Sequence, residues 1–95
     1  MSEVYSYDYR TAEAPANVLT NAGRACHQIE RDLGRQVASV KGLWSQLSMM
    51  ARSTHDKHVQ DNFRRVTDLK TRLEEMYKEA KALAHDFDDG AKAYR

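Results

Sequence analysis

The feature that most constrains this chain is a pair of long apolar stripes with helical spacing, separated by one polar interruption. From Leu19 onward, and again from Val59 to Tyr94, apolar residues recur at steps of three and four. Such steps place side chains on one face of an α-helix. The interruption lies within the stretch from Val40 to Val59, which also contains the only tryptophan, Trp44. The pattern predicts one long helix, a reversal and a second long helix.

We therefore predict an all-α fold, an antiparallel two-helix hairpin that forms a single domain. Residues 1–11 are predicted to be a loose polar arm, 12–50 the first helix, 51–54 the turn and 55–94 the second helix. Ser53 suits the N-cap of the second helix because its hydroxyl can accept a free backbone N–H. The scarcity of helix breakers agrees with this division, since the chain has one proline and four glycines.

Composition excludes several classes of partner. Hydrophobic residues make up 41% and charged residues 31% of the chain, which is typical of a folded domain. The net charge of +1 comes from 15 basic and 14 acidic side chains, so no nucleic-acid partner is expected. No apolar run is long enough to span a bilayer, so no membrane insertion is expected. The N-terminal MSEVYSYDYR lacks the features of a signal peptide. We expect a protein that is cytoplasmic before any export and that is secreted, if at all, without a cleavable signal peptide.

The apolar stripes are wider than a two-stranded seam requires, which predicts a protein partner. A second hairpin, from the same chain or a similar protein, would complete a four-helix bundle; a monomeric hairpin is the alternative. We expect the surplus at the edges of the seam, at Val18, Ala25, Leu43, Leu69, Tyr77 and Ala84. The full predicted interface comprises Val18, Leu19, Ala22, Ala25, Ile29, Leu33, Val37, Val40, Leu43, Leu47, Phe63, Val66, Leu69, Leu73, Met76, Tyr77, Leu83 and Phe87.

No arrangement of residues indicates catalysis. His55 and His58 are spaced to share a helical face, but no cysteine or carboxylate set completes a metal shell around them. Cys26 lies on the apolar stripe, as a small buried hydrophobe would. Adjacent acids such as Asp88 and Asp89 diverge on a helix and cannot act as a dyad. We predict no catalytic residue, no metal site and no cofactor.

With its 95 residues, two long predicted helices and a central tryptophan, the chain resembles the Trp-x-Gly small-protein family of type VII secretion. The sequence departs from the family's W-x-G motif, because Trp44 is followed by Ser45 and Gln46 while Gly42 lies just before it. This departure suggests that the first helix continues past the tryptophan. The run LAHDFDDGAKAYR is similar to the approach to the family's Y-x-x-x-D/E secretion signal, with Tyr94 as its tyrosine. The sequence ends before the position of the acid, so Tyr94 is a partial signal: we expect either that the acid follows beyond Arg95 or that this chain is the member of a pair that does not carry the signal.

The resemblance implies a non-enzymatic type VII secretion-associated protein. Its expected role is that of a dimeric secreted factor, or of a chaperone or targeting partner for a larger helical substrate such as a toxin. Trp44 and Gly42 would then form a turn and recognition element, whereas the apolar spacing alone makes Trp44 a seam residue. The alternative function is that of an intracellular coiled-coil adaptor or scaffold unrelated to export.

Overall fold

The computed structural model describes residues 14–94, which form two helices packed antiparallel along their length. Helix α1 spans Pro15–Ser53 and helix α2 spans Lys57–Lys92. At about 1.5 Å per residue, their 39 and 36 residues extend roughly 58 Å and 54 Å. The predicted all-α hairpin is confirmed. The predicted arm and the predicted helix start at residue 12 lie outside the described residues.

Helix α1 begins at its only proline. Pro15 occupies the start of the first turn, where its missing N–H would have had no intrahelical partner. The carbonyl of Ala14 accepts hydrogen bonds from the backbone N–H groups of Asn17 and Val18, at 2.9 and 3.2 Å. The proline thus fixes the direction of the chain without costing the helix a bond.

The turn comprises residues 54–56, so the predicted turn at 51–54 is wrong, as is the N-cap at Ser53. Ser53 is the last residue of α1, and its hydroxyl donates back to the carbonyl of Met50 at 3.1 Å. Asp56 is the N-cap of α2, because its Oδ1 accepts from the N–H of His58 at 2.8 Å. Thr54 Oγ1 accepts from the N–H of Asp56 at 3.1 Å. A carboxylate is the stronger acceptor for the first-turn amides, which places the start of α2 after Asp56.

Gln60 joins the end of α1 to the start of α2. Its Nε2 donates to the carbonyl of Ala51 at 2.7 Å and to that of Thr54 at 3.0 Å. The last carbonyls of a helix have no partner within the helix. One side chain from the first turn of α2 therefore satisfies the end of α1 and holds the reversal closed.

The seam between the helices is lined by small side chains. The buried hydrophobic residues of the described chain are Val40, Ala80, Ala84 and Ala91, and no large side chain is fully buried there. Gly23 is also buried, and a Cβ added to it would lie 2.7 Å from the Asp88 carboxylate. Small residues allow the two backbones to approach closely. The larger apolar side chains flank these small residues, and none of those in the described chain is fully buried.

Candidate interaction surface

One broad surface of the hairpin is apolar, and both helices contribute to it. We call it the apolar face and define it by the residues that line its two shallow grooves. The first groove is lined by Cys26, Ile29, Leu33, Met76, Glu79, Ala80 and Leu83. The second is lined by Gln36, Ser39, Val40, Leu43, Leu69 and Leu73. Ile29 is 50% exposed and Met76 53% exposed, so side chains of core type stand open to solvent on this face.

A seven-residue spacing produces this face. Ile29, Leu43 and Met50 fall on one line of α1, with Gln36 completing the series. Leu69, Met76 and Leu83 fall on one line of α2. Residues seven apart lie at nearly the same angle around a helix. Apart from Gln36, which is polar, all of these side chains are large, apolar and exposed, and they continue the surface along most of the hairpin.

The opposite surface, which we call the polar face, is closed by polar side chains. Trp44 is half-buried there and its Nε1 donates to Thr67 Oγ1 at 2.9 Å. The Thr67 hydroxyl in turn donates to the carbonyl of Phe63 at 2.8 Å. The Phe63 ring lies 5.7 Å from the Trp44 ring, and the Lys70 ammonium lies 5.3 Å from the same ring. Trp44 is thus a seam residue covered from the solvent side by a cation.

Ion pairs continue the polar face toward the middle of the hairpin. Lys70 Nζ lies 3.3 Å from Glu74 Oε2, and Lys41 Nζ of α1 lies 4.0 Å from the same oxygen. Beside them, Val37 and Tyr77 line a groove together with Lys41, Glu74, Lys78 and Lys81. The Tyr77 ring also lies over Gly34, 3.4 Å from where a Cβ would be. Apolar residues on this face are therefore covered by the stems of charged side chains.

His27 and Asp88 join the helices farther from the turn. His27 Nε2 lies 2.8 Å from Asp88 Oδ2, and Nδ1 lies 3.4 Å from Glu30 Oε1. The hydrogen bond to Asp88 raises the pKa of His27 above its ordinary 6.5, with Glu30 adding to the effect. The same hydrogen bond lowers the pKa of Asp88 below its ordinary 3.8. The His85 ring lies edge-on to the His27 ring at 6.3 Å. The pair is a polar link between the helices, exposed enough to exchange protons with solvent.

The predicted interface residues differ in how far they are exposed to solvent. The exposed members are Val18, Ala25, Ile29, Leu43, Leu69, Met76 and Leu83. Val40 is buried, and the half-buried members are Leu19, Ala22, Leu33, Val37, Leu47, Phe63, Val66, Leu73, Tyr77 and Phe87. One edge assignment is corrected, because Ala84 is fully buried in the seam; Tyr77 is half-buried beside the seam, on the polar face. Small alanines sit at the closest approach, and Tyr77 fills the space that Gly34 leaves.

The predicted turn and recognition element is not in the turn. Trp44 and Gly42 both lie inside α1, well before its end at Ser53. Gly42 is exposed, and a Cβ added there would have no atom within 4 Å. Helix α1 continues past the tryptophan, as the departure from W-x-G suggested. Tyr94 is 61% exposed beyond the end of α2.

Four polar contacts between the helices were not anticipated from the sequence. They are the bond from Gln60 to the end of α1, the bond from Trp44 to Thr67, the pair of His27 with Asp88 and the ion pair of Lys41 with Glu74. Each joins residues whose proximity depends on the register of the two helices. The apolar spacing indicates that the helices pair but not which polar residues stand opposite each other.

The described residues hold no group of three or more His, Cys, Asp and Glu side chains arranged to bind a metal ion. Neither α1 nor α2 is long and apolar enough to cross a membrane. The one cysteine, Cys26, is half-buried along a groove of the apolar face. Of the nine exposed large hydrophobic side chains of the described chain, five lie on the apolar face, namely Ile29, Leu43, Leu69, Met76 and Leu83, so we take this face as the candidate interaction surface.

Comparisons of the chain with protein-family models, with curated proteins and with solved structures find no match.

Proposed function

We propose that this protein is a non-enzymatic, type VII secretion-associated helical partner protein that acts by covering its apolar face with the helices of another hairpin. It serves either as a dimeric secreted factor or as a chaperone or targeting partner for the helical domain of a larger substrate. The observation that carries the proposal is the concentration of exposed apolar side chains on one face, while the other face is closed by polar contacts.

The energetics of the face favour a bound state. Five large side chains, Ile29, Leu43, Leu69, Met76 and Leu83, are each about half exposed. Removing the rest of such a side chain from water contributes roughly 1 kcal/mol. The seam meanwhile buries only one valine and three alanines among hydrophobic residues. A second layer of helices would give this hairpin the large-residue core that it lacks alone, which is the arrangement of a four-helix bundle.

The link to type VII secretion rests on the resemblance in length, in the two long helices and in the central tryptophan. In the resembled family, such hairpins pair with a second hairpin and are exported folded. An elongated apolar face on one side of the hairpin suits both pairing and the escort of a helical substrate.

The position of Trp44 favours a second candidate, an intracellular coiled-coil adaptor or scaffold. The tryptophan lies inside α1 and binds Thr67 across the seam, which is the role of an ordinary core residue rather than of an exposed recognition element. An adaptor would use the same apolar face with no connection to export.

Export distinguishes the two candidates. The protein is followed in the culture supernatant of intact cells of its native organism, with the type VII apparatus functional and disrupted. We expect it, or the larger substrate bound to it, outside the cell only when the apparatus functions. The variant Met76→Glu should lose both partner binding and export, and the matched variant Thr71→Glu, on the outer side of the same helix, should keep both. Retention inside the cell in every case would contradict the secretion role and support the adaptor.

A further inference from the structure

A row of four charges borders the apolar face on α2. Arg65, Arg72, Glu79 and Asp86 follow one another at seven-residue intervals, and all four are exposed. Arg65 and Arg72 line a shallow groove with Leu69, Val66 and Asp68, and Glu79 lines the groove of Met76 and Leu83. Within residues 14–94, none of the four takes part in an ion pair. The two bases lie toward the turn and the two acids toward the end of α2.

This order of charges is complementary to itself when reversed. We propose that the apolar face is covered by a second copy of this chain, running antiparallel and related by a two-fold axis level with Gln36 and Met76. The proposal rests on the proposed function, whose partner it identifies. Arg65 then meets Asp86 of the second copy and Arg72 meets its Glu79. Each pair occurs twice by symmetry, as a two-fold interface requires.

The apolar side chains of α2 fit the same axis. Met76 lies at the centre of its series, so it meets Met76 of the second copy, and Leu69 meets Leu83. The charged row is centred midway between Arg72 and Glu79, within one residue of Met76. In an antiparallel pair of helices, flanking charges at such positions set the orientation of the partner. Charge and apolar spacing thus select one register.

Helix α1 supplies an independent check. Ile29 and Leu43 of its exposed series lie symmetrically about Gln36, so Ile29 would meet Leu43 of the second copy, while Met50 at the end of that series would meet Ala22. Gly34 contacts Tyr77, and Trp44, ten residues further along α1, contacts Thr67, which lies ten residues earlier on α2. Each residue forward along α1 is therefore level with one residue further back along α2. Gln36 is therefore level with residue 75, about 1.5 Å from the level of Met76. A two-fold axis perpendicular to the helices crosses both at one height, and the pair Ile29 and Leu43 on α1 and the series Leu69, Met76 and Leu83 on α2 are both centred within about one residue of that height.

The other symmetric arrangement, with both turns at the same end, places α2 against α1 of the second copy. The edge of α1 beside the apolar face carries Ala25, Asp32, Ser39 and Gln46. Residue 79 is level with residue 32, so Glu79 would face Asp32 of the second copy. The arginines would face Ser39 and Gln46. The arrangement with both turns at the same end has two like-charge contacts, where the antiparallel arrangement has four ion pairs. Charge therefore favours the antiparallel arrangement.

Charge exchange tests the pairing directly. Two variants are made of the full chain, Arg65→Glu with Arg72→Glu, and Glu79→Arg with Asp86→Arg. When either variant pairs with itself, like charges meet at four places. When one variant pairs with the other, all four contacts are again between opposite charges. We expect wild type to sediment at about twice the chain mass of 10.9 kDa. Each variant alone should raise the dimer Kd about thirtyfold at low salt, and mixing should restore it.

The matched control is Lys78→Glu with Lys81→Glu, which makes the same charge change on the polar face and should leave the Kd within about threefold of wild type. Circular dichroism verifies that every variant keeps its helices, since Arg, Lys and Glu are all good helix formers. Unchanged Kd values in the two exchange variants, or failure of their mixture to associate, would overturn the pairing.

The orientation is tested by disulfide trapping in a Cys26→Ala background. Met76→Cys should crosslink to itself, because the two-fold axis brings the two copies of this position together. Leu69→Cys should not crosslink alone but should do so when mixed with Leu83→Cys. Crosslinking of Leu69→Cys to itself would contradict the antiparallel register.

Failure of self-pairing is distinguishable from failure of the proposed function. A well-folded wild-type monomer at about 100 µM would overturn the two-fold dimer, because specific, stable protein–protein interfaces associate at lower concentrations. It would leave the apolar face available to a different hairpin. The export experiment with Met76→Glu then decides the proposed function separately.

Discussion

The apolar face and the polar face border the same seam but are completed in different ways. On the polar face, each side chain beside the seam has a local partner: Lys70 covers Trp44, Tyr77 covers Gly34, and Asp88 binds His27. On the apolar face, Ile29 and Met76 stand half exposed with no such cover among the described residues. One side of the hairpin is therefore covered by contacts within the chain, and the other exposes the apolar side chains that we propose a second layer of helices covers. Substitutions on the two faces should change different measurements.

The largest difference is expected for a charge placed at the centre of the apolar face. Met76→Glu would bury an unpaired carboxylate against a partner, which costs about 3 kcal/mol or more of association free energy, corresponding to a Kd raised at least about a hundredfold. Thr71→Glu adds the same charge to the exposed outer side of α2 and should leave association unchanged. Sedimentation equilibrium measures both. Equal behaviour of the two variants would mean that the apolar face is not the interface.

Removal of the tryptophan should affect folding first. Trp44→Ala deletes the ring that packs on Phe63 and carries Lys70, and should lower the free energy of unfolding by about 3 kcal/mol. Trp44→Phe keeps most of the apolar area but loses the hydrogen bond to Thr67, for a loss of about 1 kcal/mol. Urea unfolding followed by circular dichroism gives both values. The exposed neighbour Ser45 serves as the control, and a comparable loss in Ser45→Ala would contradict a role specific to the ring.

The sequence predicts the hairpin well because long apolar spacing and few breakers leave little choice of fold. It does not predict how far each helix is rotated about its own axis. Ile29 and Met76 belong to the apolar stripes, yet they lie beside the seam because Ala84 and Gly23 occupy the closest approach. That rotation depends on small residues of both helices together. The spacing of one helix alone cannot specify it, which is why Ala84 is predicted at the edge of the seam but lies buried within it.

The turn illustrates the same limit on a smaller scale. Ser53 and Asp56 are both acceptable N-caps by residue type. The choice of Asp56 is accompanied by the bond from Gln60 back to Ala51, a contact between two helices. Local preference identifies the candidates, and a tertiary contact accompanies the choice between them.

Two of the three glycines of α1, Gly23 and Gly42, offer a smaller test of packing at the seam. Gly42 has open space where a Cβ would be, so Gly42→Ala should raise the free energy of unfolding by about 1 kcal/mol through helix propensity alone. Gly23→Ala offers the same gain, but its Cβ would lie 2.7 Å from the Asp88 carboxylate and would displace it from His27. We expect this variant to gain less than Gly42→Ala. Thermal unfolding compares the two variants. An equal rise in Tm would show that the Asp88 side chain moves away from a Cβ at position 23 at no cost in stability.

The smallest expected effect is the pH dependence of the polar face. The raised pKa of His27 means that its protonated form is favoured in the folded chain, so its contribution to stability is complete below pH 6.5 and is lost as pH rises through the folded pKa. The lowered pKa of Asp88 makes its contribution present above pH 3.8 and lost as pH falls through its folded pKa. The pair should therefore stabilise the hairpin most between about pH 4 and 6.5.

His27→Gln should remove this excess stability while keeping a side chain able to hydrogen-bond. Urea midpoints at pH 5.5 and pH 8.5 measure the effect as a difference between the two pH values, so that unrelated changes in stability cancel. His55→Gln is the control, because His55 is exposed in the turn, away from the seam. If the urea midpoints of His27→Gln and of wild type fall by the same amount between these pH values, the hydrogen bond from His27 to Asp88 does not stabilise the hairpin. That face would then depend on Trp44 and its neighbours.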